Sequence, residues 1–575
     1  MCCIKQMDSE YKKLKDPIYG YIKIPTELIK RVIDTAVFQR LRRVLQTSYA
    51  PLFSSAIHNR FVHSIGVFYL GCIASEQLKK EILKKNLLTK KDAEKYVHSY
   101  QLACLLHDVG HAPFSHTGEN FYKTKDYYST ELHHMLREEV GVKAFDKDIP
   151  AEESQAAAPH EIMSAVIGLR EFGGLLPTKE EKELFARCIT GYQYKTRGSK
   201  NEIKNCFVTM LNSKVIDVDR LDYLIRDAYI TGFKTVDLDY ERLLNALTIV
   251  NEREIEESKK NSEKNSRKNS ESSYIIAYKK DALSVIENVV FAHDAEKKWI
   301  QSHPVVLYES YLLQHIISYL NQALDDGEHR LFSINALSKE GVNLKQGVHI
   351  SLLCDDDIVY LFKNVCWDSL SEEYFAREKR RHPVWKSEAE YKAYINRMSD
   401  GGEIKDSFSD CLQSFIEGDA RGVQMPIVIN PKLEEKLERE KEDAEQKLAD
   451  AKNRIDRDSF SEQRNGTLRK LSLCRFLNRY ADEQGLEKDF VILKASMFTS
   501  NFSKEDIQNI PIVFSQDGDE LVKRAGDVCS LLNSEGVKEE FYYLFYRETD
   551  GNKIRSKKDF CERLYFAALN MQKAE

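Results

Sequence analysis

No stretch of the sequence approaches the roughly 18 consecutive apolar residues that a membrane-crossing helix needs, which excludes a helical membrane protein. The opening Met1-Cys2-Cys3-Ile4-Lys5 lacks the apolar core of a secretory signal. The 12 cysteines contain no CxxC pair, and several, such as Cys104 in QLACLLHDVG, sit inside apolar runs. That is the pattern of reduced, buried thiols, and it predicts a cytoplasmic protein. A basic excess is missing too: 85 Lys+Arg stand against 91 Asp+Glu, a net charge of −6. Nucleic acid is therefore not expected as the main ligand, and any polyanion must be held by a local basic cluster or a metal. No fixed-period repeat stands out. What is present is apolar mass: 42% of the 575 residues are hydrophobic and 10% aromatic, enough for a large core in two or three domains.

Apolar residues recur at helical spacing through Leu28, Val32, Ile33, Phe38 and Leu41, and again through Leu313, Ile316, Ile317 and Leu320. Strand-like alternation is sparse until the last third. The expected fold is mainly α, with a helical core over 1–330, a helical extension over 331–465, and a smaller C-terminal α/β or α+β lobe over 466–575. Residues 256–273, EESKKNSEKNSRKNSESS, contain no apolar side chain and read as a solvated insertion, or else as a lysine-bearing phosphate arm. Residues 431–456 carry a narrow apolar stripe (Leu433, Leu437, Ala444, Leu448, Ala451, Ile455) on a highly charged helix opened by Pro431. A coiled-coil hairpin and an exposed connector fit that stripe equally. Strands are expected around Phe490–Leu493, Ile510–Phe514 and Phe541–Phe545, with a helix over Leu521–Leu532 between them.

Histidine is concentrated: nine of the fifteen lie within residues 58–160, far more than an even spread would place there. The sharpest segment is LACLLHDVGHAPFSH, Leu102–His116, in which an apolar helical run ends in His107-Asp108. An imidazole and a carboxylate side by side can grip one divalent ion, but adjacent residues cannot surround it, so further ligands must come from elsewhere. The candidates are His63 in HNRFVHSIGVFYLG and Asp219 in VIDVDRLDYLIRD, each on an expected helix. Two nitrogens and two oxygens suit iron, manganese, zinc or a similar transition metal and leave positions for water and phosphate.

The order His63, His107-Asp108, Asp219 resembles the signature of HD-domain phosphohydrolases. The flanking text DPIYGYI (16–22), DTAVFQRLRRVLQ (34–46), HNRFVHSIGV (58–67), LLHDVGHAPFSH (105–116) and DVDRLDYLIRD (217–227) narrows the likeness. It is similar to the deoxynucleoside-triphosphate triphosphohydrolases, the branch of bacterial dGTPases and vertebrate antiviral sterile-alpha-motif/HD proteins, over about residues 10–325. The resemblance implies an HD-domain helical core that hydrolyses a dNTP to a deoxynucleoside and inorganic triphosphate. It implies one divalent metal held by His63, His107, Asp108 and Asp219, with Mg²⁺ able to accompany the nucleotide phosphates.

By the same resemblance His111 and His160 contact the α-phosphate, although His160 could also simply cap its helix. His116 and Glu119 form the pair that protonates the leaving oxygen. Arg60 and Arg220 contact phosphates, Tyr223 packs on the sugar, Asp227 accepts from the 3′-hydroxyl and Gln46 stands at the sugar edge. Asp219, Tyr223 and Asp227 are four apart and share a helix face. Over 291–308 the family's arginine and tyrosine pattern is poorly kept, and Lys297 and Lys298 are the candidates to replace its triphosphate-gripping cations. Asp34, Gln39 and Arg42 match residues that bind an activating nucleotide between subunits, or else belong to a packing helix. The expected partners are a nucleoside triphosphate, a nucleotide activator and further copies of the chain, as a dimer, tetramer or hexamer. Lowering of nucleotide pools in antiviral defence is a further implication. The alternatives are an HD phosphodiesterase or nuclease on cyclic or oligomeric nucleotides, and a non-catalytic nucleotide sensor.

Overall fold

The structure, a computed structural model, describes residues 10–569 except for 123–127, 151–156, 235, 258–272, 326–329, 346, 366–368, 396–401, 419–423, 452–453, 497–503, 517–518, 530–539 and 550. The insertion expected at 256–273 lies almost wholly outside the described residues. By contacts the chain divides into two units whose segments interleave. One comprises Met1–Glu296, Ile317–Val365 and Ser500–Gly536, the other Lys297–Ile316, Cys366–Thr499 and Val537–Glu575. The consecutive blocks 1–330, 331–465 and 466–575 follow composition along the chain, whereas these units follow who packs against whom.

The first unit is mainly helical. It opens with a hairpin of β1 (Tyr11–Asp16) and β2 (Gly20–Pro25). Its helical frame is α1 (Arg60–Lys84), α2 (Lys90–Leu106), α3 (Pro159–Phe172), α4 (Lys179–Thr190), α5 (Ser199–Leu211) and α6 (Val218–Thr231). Local chemistry sets these boundaries. Asn59, Thr89, Thr178 and Asp217 each accept a backbone N–H from the first turn that follows them. Gly191 and Gly232 end α4 and α6 in the left-handed conformation that glycine adopts without strain.

β3 (Leu247–Asn251) and β4 (Tyr274–Lys279) pair antiparallel in this unit. Their sheet is completed from far along the chain. C-terminal in sequence to α7 (Asp355–Val365), the strand β7 (Pro511–Gln516) joins β4 in parallel through Ile512 and Val513, and β8 (Asp519–Arg524) continues antiparallel. The expected strand near 510 is there, but it belongs to this four-stranded sheet. Of the helix expected over Leu521–Leu532, residues 521–524 belong to β8, Ala525–Val528 form one helical turn, and 530–532 lie outside the described residues; Val522 pairs with Val513 and is buried, while Leu521 is half exposed. Period-2 burial decided over a helical spacing that the short apolar run also fitted.

The second unit is built around a helical hairpin, α8 (Pro431–Asp450) and α9 (Arg454–Gln484). Asn478 Nδ2 donates to Glu434 Oε2 at 2.7 Å and Arg475 reaches Glu434 and Glu438, so the charged helix folds back on its successor. Of its stripe, Leu433, Leu437 and Ala444 are buried, whereas Ile455 is 82% exposed at the start of α9. A three-stranded sheet is formed by β5 (His382–Pro383), β6 (Val491–Ser496) and β9 (Glu540–Tyr546) in the order β6-β9-β5. Trp385 is fully buried there and donates its Nε1–H to the Tyr542 carbonyl at 2.9 Å.

The feature of the fold that matters most for a site is the crossing of α1 and α6. Gly66 lies where a Cβ would collide with Asp222 Oδ1 and come within 2.5 Å of the Arg226 guanidinium. Asp222 is backbone-fixed on α6 and clamped by Arg226, so it has little room to yield. Gly66→Ala is expected to cost about 1–3 kcal/mol by overpacking, read as a lower thermal midpoint together with loss of bound metal.

Candidate active site

Four side chains from three elements converge. His63 comes from α1, His107 caps the C-terminus of α2 with Asp108 next to it, and Asp219 lies in the first turn of α6. His63 Nε2 is 3.3 Å from His107 Nε2, 2.9 Å from Asp219 Oδ1 and 3.7 Å from Asp108 Oδ2. His107 Nε2 is 3.6 Å from both Asp108 Oδ1 and Asp219 Oδ1. Partners on the far side of each ring set the tautomers. His63 Nδ1–H donates to Asp222 Oδ2 at 2.8 Å, and His107 Nδ1–H donates to the Cys104 carbonyl at 2.9 Å.

Both Nε2 lone pairs therefore point at each other and at two carboxylates. Such a set of acceptors is stable only around a positive charge. Burial opposes charge on His63, but hydrogen bonds to Asp219 and Asp222 outweigh it and push the imidazole up to about 10. Burial likewise opposes ionisation of Asp219, yet His107 and His63 hold that carboxyl well below its usual range. Asp108 is held down against burial by Arg60, His107 and His63. A divalent cation fits the same atoms in place of the proton, and a donor set of two imidazoles and two carboxylates suits a borderline transition metal.

A buried network stands behind these atoms. Arg226 donates through Nε and Nη2 to both oxygens of Asp222 at 2.9 and 3.0 Å, and through Nη1 to Asp16 at 3.0 Å. Tyr19 donates its hydroxyl to Asp222 Oδ1 at 2.8 Å. The turn of the β1–β2 hairpin thus fixes the carboxylate that fixes His63. The sequence displayed Asp16, Tyr19, Asp222 and Arg226 inside its motifs but gave them no role, because Asp16 and Arg226 are 210 residues apart.

A second cluster joins His111, His116, Glu119 and His160, whose ligand atoms lie within 4.8 Å of one another. Glu119 Oε2 is 2.6 Å from His160 Nδ1, and its Oε1 is 3.3 Å from His116 Nδ1, so the carboxylate is shared and held closer to His160. Burial works against charge on His160, but Glu119 pushes it up to about 9. His111 stacks on His160 with centroids 4.4 Å apart and rings 16° from parallel. In-plane lone pairs of two stacked rings cannot meet at one ion about 2.0–2.1 Å from each nitrogen, which makes this cluster a poor metal cage. His111 is fully buried, and neither ring nitrogen has a hydrogen-bond partner. Burial, with Arg60 and the neighbouring imidazoles, keeps it neutral.

The loop carrying these histidines is tightly built. Gly110 lies against the backbone of Met163 and Ser164 with no room for a Cβ, and its N–H donates to Ser164 Oγ at 2.9 Å. Phe114 and Ser115 both have positive φ, 56° and 54°, a conformation costing about 1–3 kcal/mol per non-glycine residue.

The other expected site residues divide. Arg60 is buried with its guanidinium engaged: it donates to Asp108 at 2.7 Å, Ser115 Oγ at 2.8 Å and the Gln46 carbonyl at 3.4 Å. Gln46 is buried, and its Oε1 has no hydrogen-bond partner. Asp227 lies with Oδ1 2.7 Å from His58 Nε2, at an angle too poor for a hydrogen bond, and both residues are buried. His58, whose carbonyl accepts the Gln46 N–H at 3.0 Å, thereby joins Gln46 to Asp227; it lay unremarked in HNRFVH. Arg220 donates to the Val215 carbonyl at 2.7 Å and bonds Tyr223, whose phenol is pushed up by burial. Lys297 and Lys298 belong to the second unit, where Lys298 lies 3.8 Å from Glu388. Gln39 donates to the Ile33 carbonyl at 2.7 Å, Arg42 donates to Gln39 at 2.8 Å and lies over the Phe61 ring, and Asp34 is exposed.

Residues 60–190 match the family model described as HD domain. Over those residues the chain is similar to that domain. The match takes in His63, His107, Asp108, His111, His116, Glu119 and His160, and it ends before Asp219. The chain is similar to curated proteins over part of their length. "Deoxynucleoside triphosphate triphosphohydrolase SAMHD1" of Danio rerio is 32% identical over 247 residues, 42% of this chain and 37% of the relative. The Homo sapiens protein of the same name is 31% identical over 246 residues, 40% of this chain and 35% of its own. "Uncharacterized protein YwfO" of Bacillus subtilis (strain 168) is 28% identical over 322 residues, 56% of this chain and 58% of its own. The chain thus spans between about a third and three fifths of the length of these relatives. A crystal structure of a hypothetical protein from Aquifex aeolicus shares the fold: TM-score 0.52, 18% identity, covering 97% of this chain and 100% of that one. Among the described residues no helix is long and apolar enough to cross a membrane.

The Asp222 carboxylate orients the His63 imidazole from outside the four converging side chains. Asp222→Asn should weaken divalent-metal affinity of the purified protein by about 10–100-fold, measured by metal titration, while His63 and the helical content remain.

Proposed function

We propose that the protein is a metal-dependent phosphohydrolase that cleaves deoxynucleoside triphosphates to a deoxynucleoside and inorganic triphosphate. The observation that carries this reading is the set of buried polar atoms without hydrogen-bond partners near the His63 cluster: both ring nitrogens of His111 and Gln46 Oε1. Leaving such groups unsatisfied costs about 1–3 kcal/mol each, so they suit a ligand that presents both phosphate oxygens and sugar hydroxyls. The likeness to named triphosphohydrolases supports the substrate class.

A divalent cation held by His63, His107, Asp108 and Asp219 would supply Lewis acidity toward a phosphate oxygen and acidify a water. His111, neutral and buried, would donate one ring N–H to an α-phosphate oxygen. As a water oxygen bonds to the α-phosphorus, the bond from phosphorus to the 5′-oxygen breaks and that oxygen needs a proton. His116 is exposed, with its Nδ1 beside Glu119, and can deliver the proton from Nε2. The water oxygen leaves in the triphosphate, and the proton of His116 leaves in the deoxynucleoside. Charged His160, paired with Glu119, adds positive charge beside the phosphate. By resemblance alone, Asp34, Gln39 and Arg42 would serve an activating nucleotide between subunits of a homo-oligomer, and a role in antiviral defence belongs to the same reading.

Incubation with Mn²⁺ and each dNTP, with products resolved by chromatography, should yield deoxynucleoside and triphosphate. His116→Ala should lower turnover by about 10²–10⁴-fold and leave nucleotide binding measurable. Release of monophosphate and pyrophosphate, turnover only of cyclic or oligomeric nucleotides, or equal inactivity of wild type and variant would refute the reading.

A further inference from the structure

We infer that Asp355, together with Arg40, is a positioning residue that sets the loop carrying His111 and His116. Phe114 and Ser115 both sit in the left-handed region immediately before His116, and such conformations persist only where the surroundings dictate them. The contacts that dictate this one lead to residues 353–355, well beyond the HD-domain match that ends at residue 190. Asp355, the buried first residue of α7, accepts the Phe114 N–H on Oδ1 at 2.7 Å and the Leu45 N–H on Oδ2 at 2.9 Å. One carboxylate thus ties the strained turn to the segment that holds Gln46. Ser115 Oγ closes the same bracket by donating to the Leu45 carbonyl. Arg40, also buried, donates to the carbonyls of Val109 at 3.0 Å, His111 at 2.8 Å and Leu353 at 2.8 Å. The backbone of the loop is therefore bolted at both ends to one short segment.

A carboxylate suits this place because two N–H groups converge on it and it has two acceptor oxygens and no donor. An asparagine of the same shape would turn its NH₂ toward one of them. No metal ligand lies on the bracketed turn, so its loosening should spare the HD cluster and disturb the histidines that follow it. Only the kinetic part of this inference rests on the proposed dNTP hydrolysis.

The test uses full-length Asp355→Asn and Asp355→Ala. Bound metal should stay at the wild-type level, and dNTP turnover should fall by about 10–100-fold through misplacement of the proton donor. Hydrolysis of bis(4-nitrophenyl) phosphate, whose leaving group needs no proton, should fall far less. Independently of turnover, labelling by diethyl pyrocarbonate, read by mass spectrometry, should rise several-fold at His111. His133, buried in the same unit and bonded to Tyr192 at 2.8 Å, should keep its wild-type rate. Unchanged labelling at His111, an equal rise at His133, or a parallel loss on both substrates would overturn the inference. A wild type without dNTP turnover would defeat the proposed function, while the His111 labelling would still decide the role of Asp355.

Discussion

Two imidazole nitrogens held face to face at 3.3 Å, each with its opposite nitrogen already committed, are the constraint on which the rest of this molecule turns. Neither ring can flip away without abandoning a buried hydrogen bond. Asp108 and Asp219 close the remaining sides, so the cluster has more acceptor capacity than a proton on His63 can satisfy. Burial raises the cost of that deficit, since charge is weakly screened away from water. The fold therefore concentrates acceptor atoms at one point, where a divalent cation would satisfy them together.

Much of the first unit serves to keep this arrangement in place. Gly66 lets α1 and α6 approach closely enough for Asp222 to reach His63. Arg226 neutralises the buried Asp222 and reaches Asp16, and the β1–β2 turn adds Tyr19. A buried ion pair of this kind contributes little net stability against an apolar substitute, but it fixes one ring orientation. On the other side of the centre, Arg40 and Asp355 brace the turn that leads to His116. Rigidity is concentrated around the converging side chains, and beside them the ring nitrogens of His111 and Oε1 of Gln46 are buried without hydrogen-bond partners.

The convergence of His63, His107, Asp108 and Asp219 was legible in the sequence because they are residue types set in dense local patterns: the apolar run ending in His107-Asp108, and the four-residue spacing on α6. The mainly α character and the strands near 490, 510 and 541 were legible from periodicity. What periodicity could not carry was partnership. Asp222 looks like any helical aspartate until His63, 159 positions earlier, is seen against it. Asp355 lies among three consecutive aspartates, which reads as a solvated helix start. The strand at 511–516 could be recognised as a strand, but its pairing with β4 rather than with the strands near 490 and 541 depends on long-range packing. The hairpin of α8 and α9 was one of two readings of the same stripe, and the polar bonds from Glu434 to Asn478 and Arg475 decide it.

The most direct measurement is X-ray absorption at the metal edge on purified wild-type protein, alongside elemental analysis of wild type and His63→Ala. The account predicts one transition-metal ion per chain, coordinated by two imidazole nitrogens and by oxygens at about 2.0–2.2 Å, and loss of that ion in the variant. A wild-type protein that binds no divalent ion, or an ion whose coordination and occupancy are unchanged by His63→Ala, would contradict it.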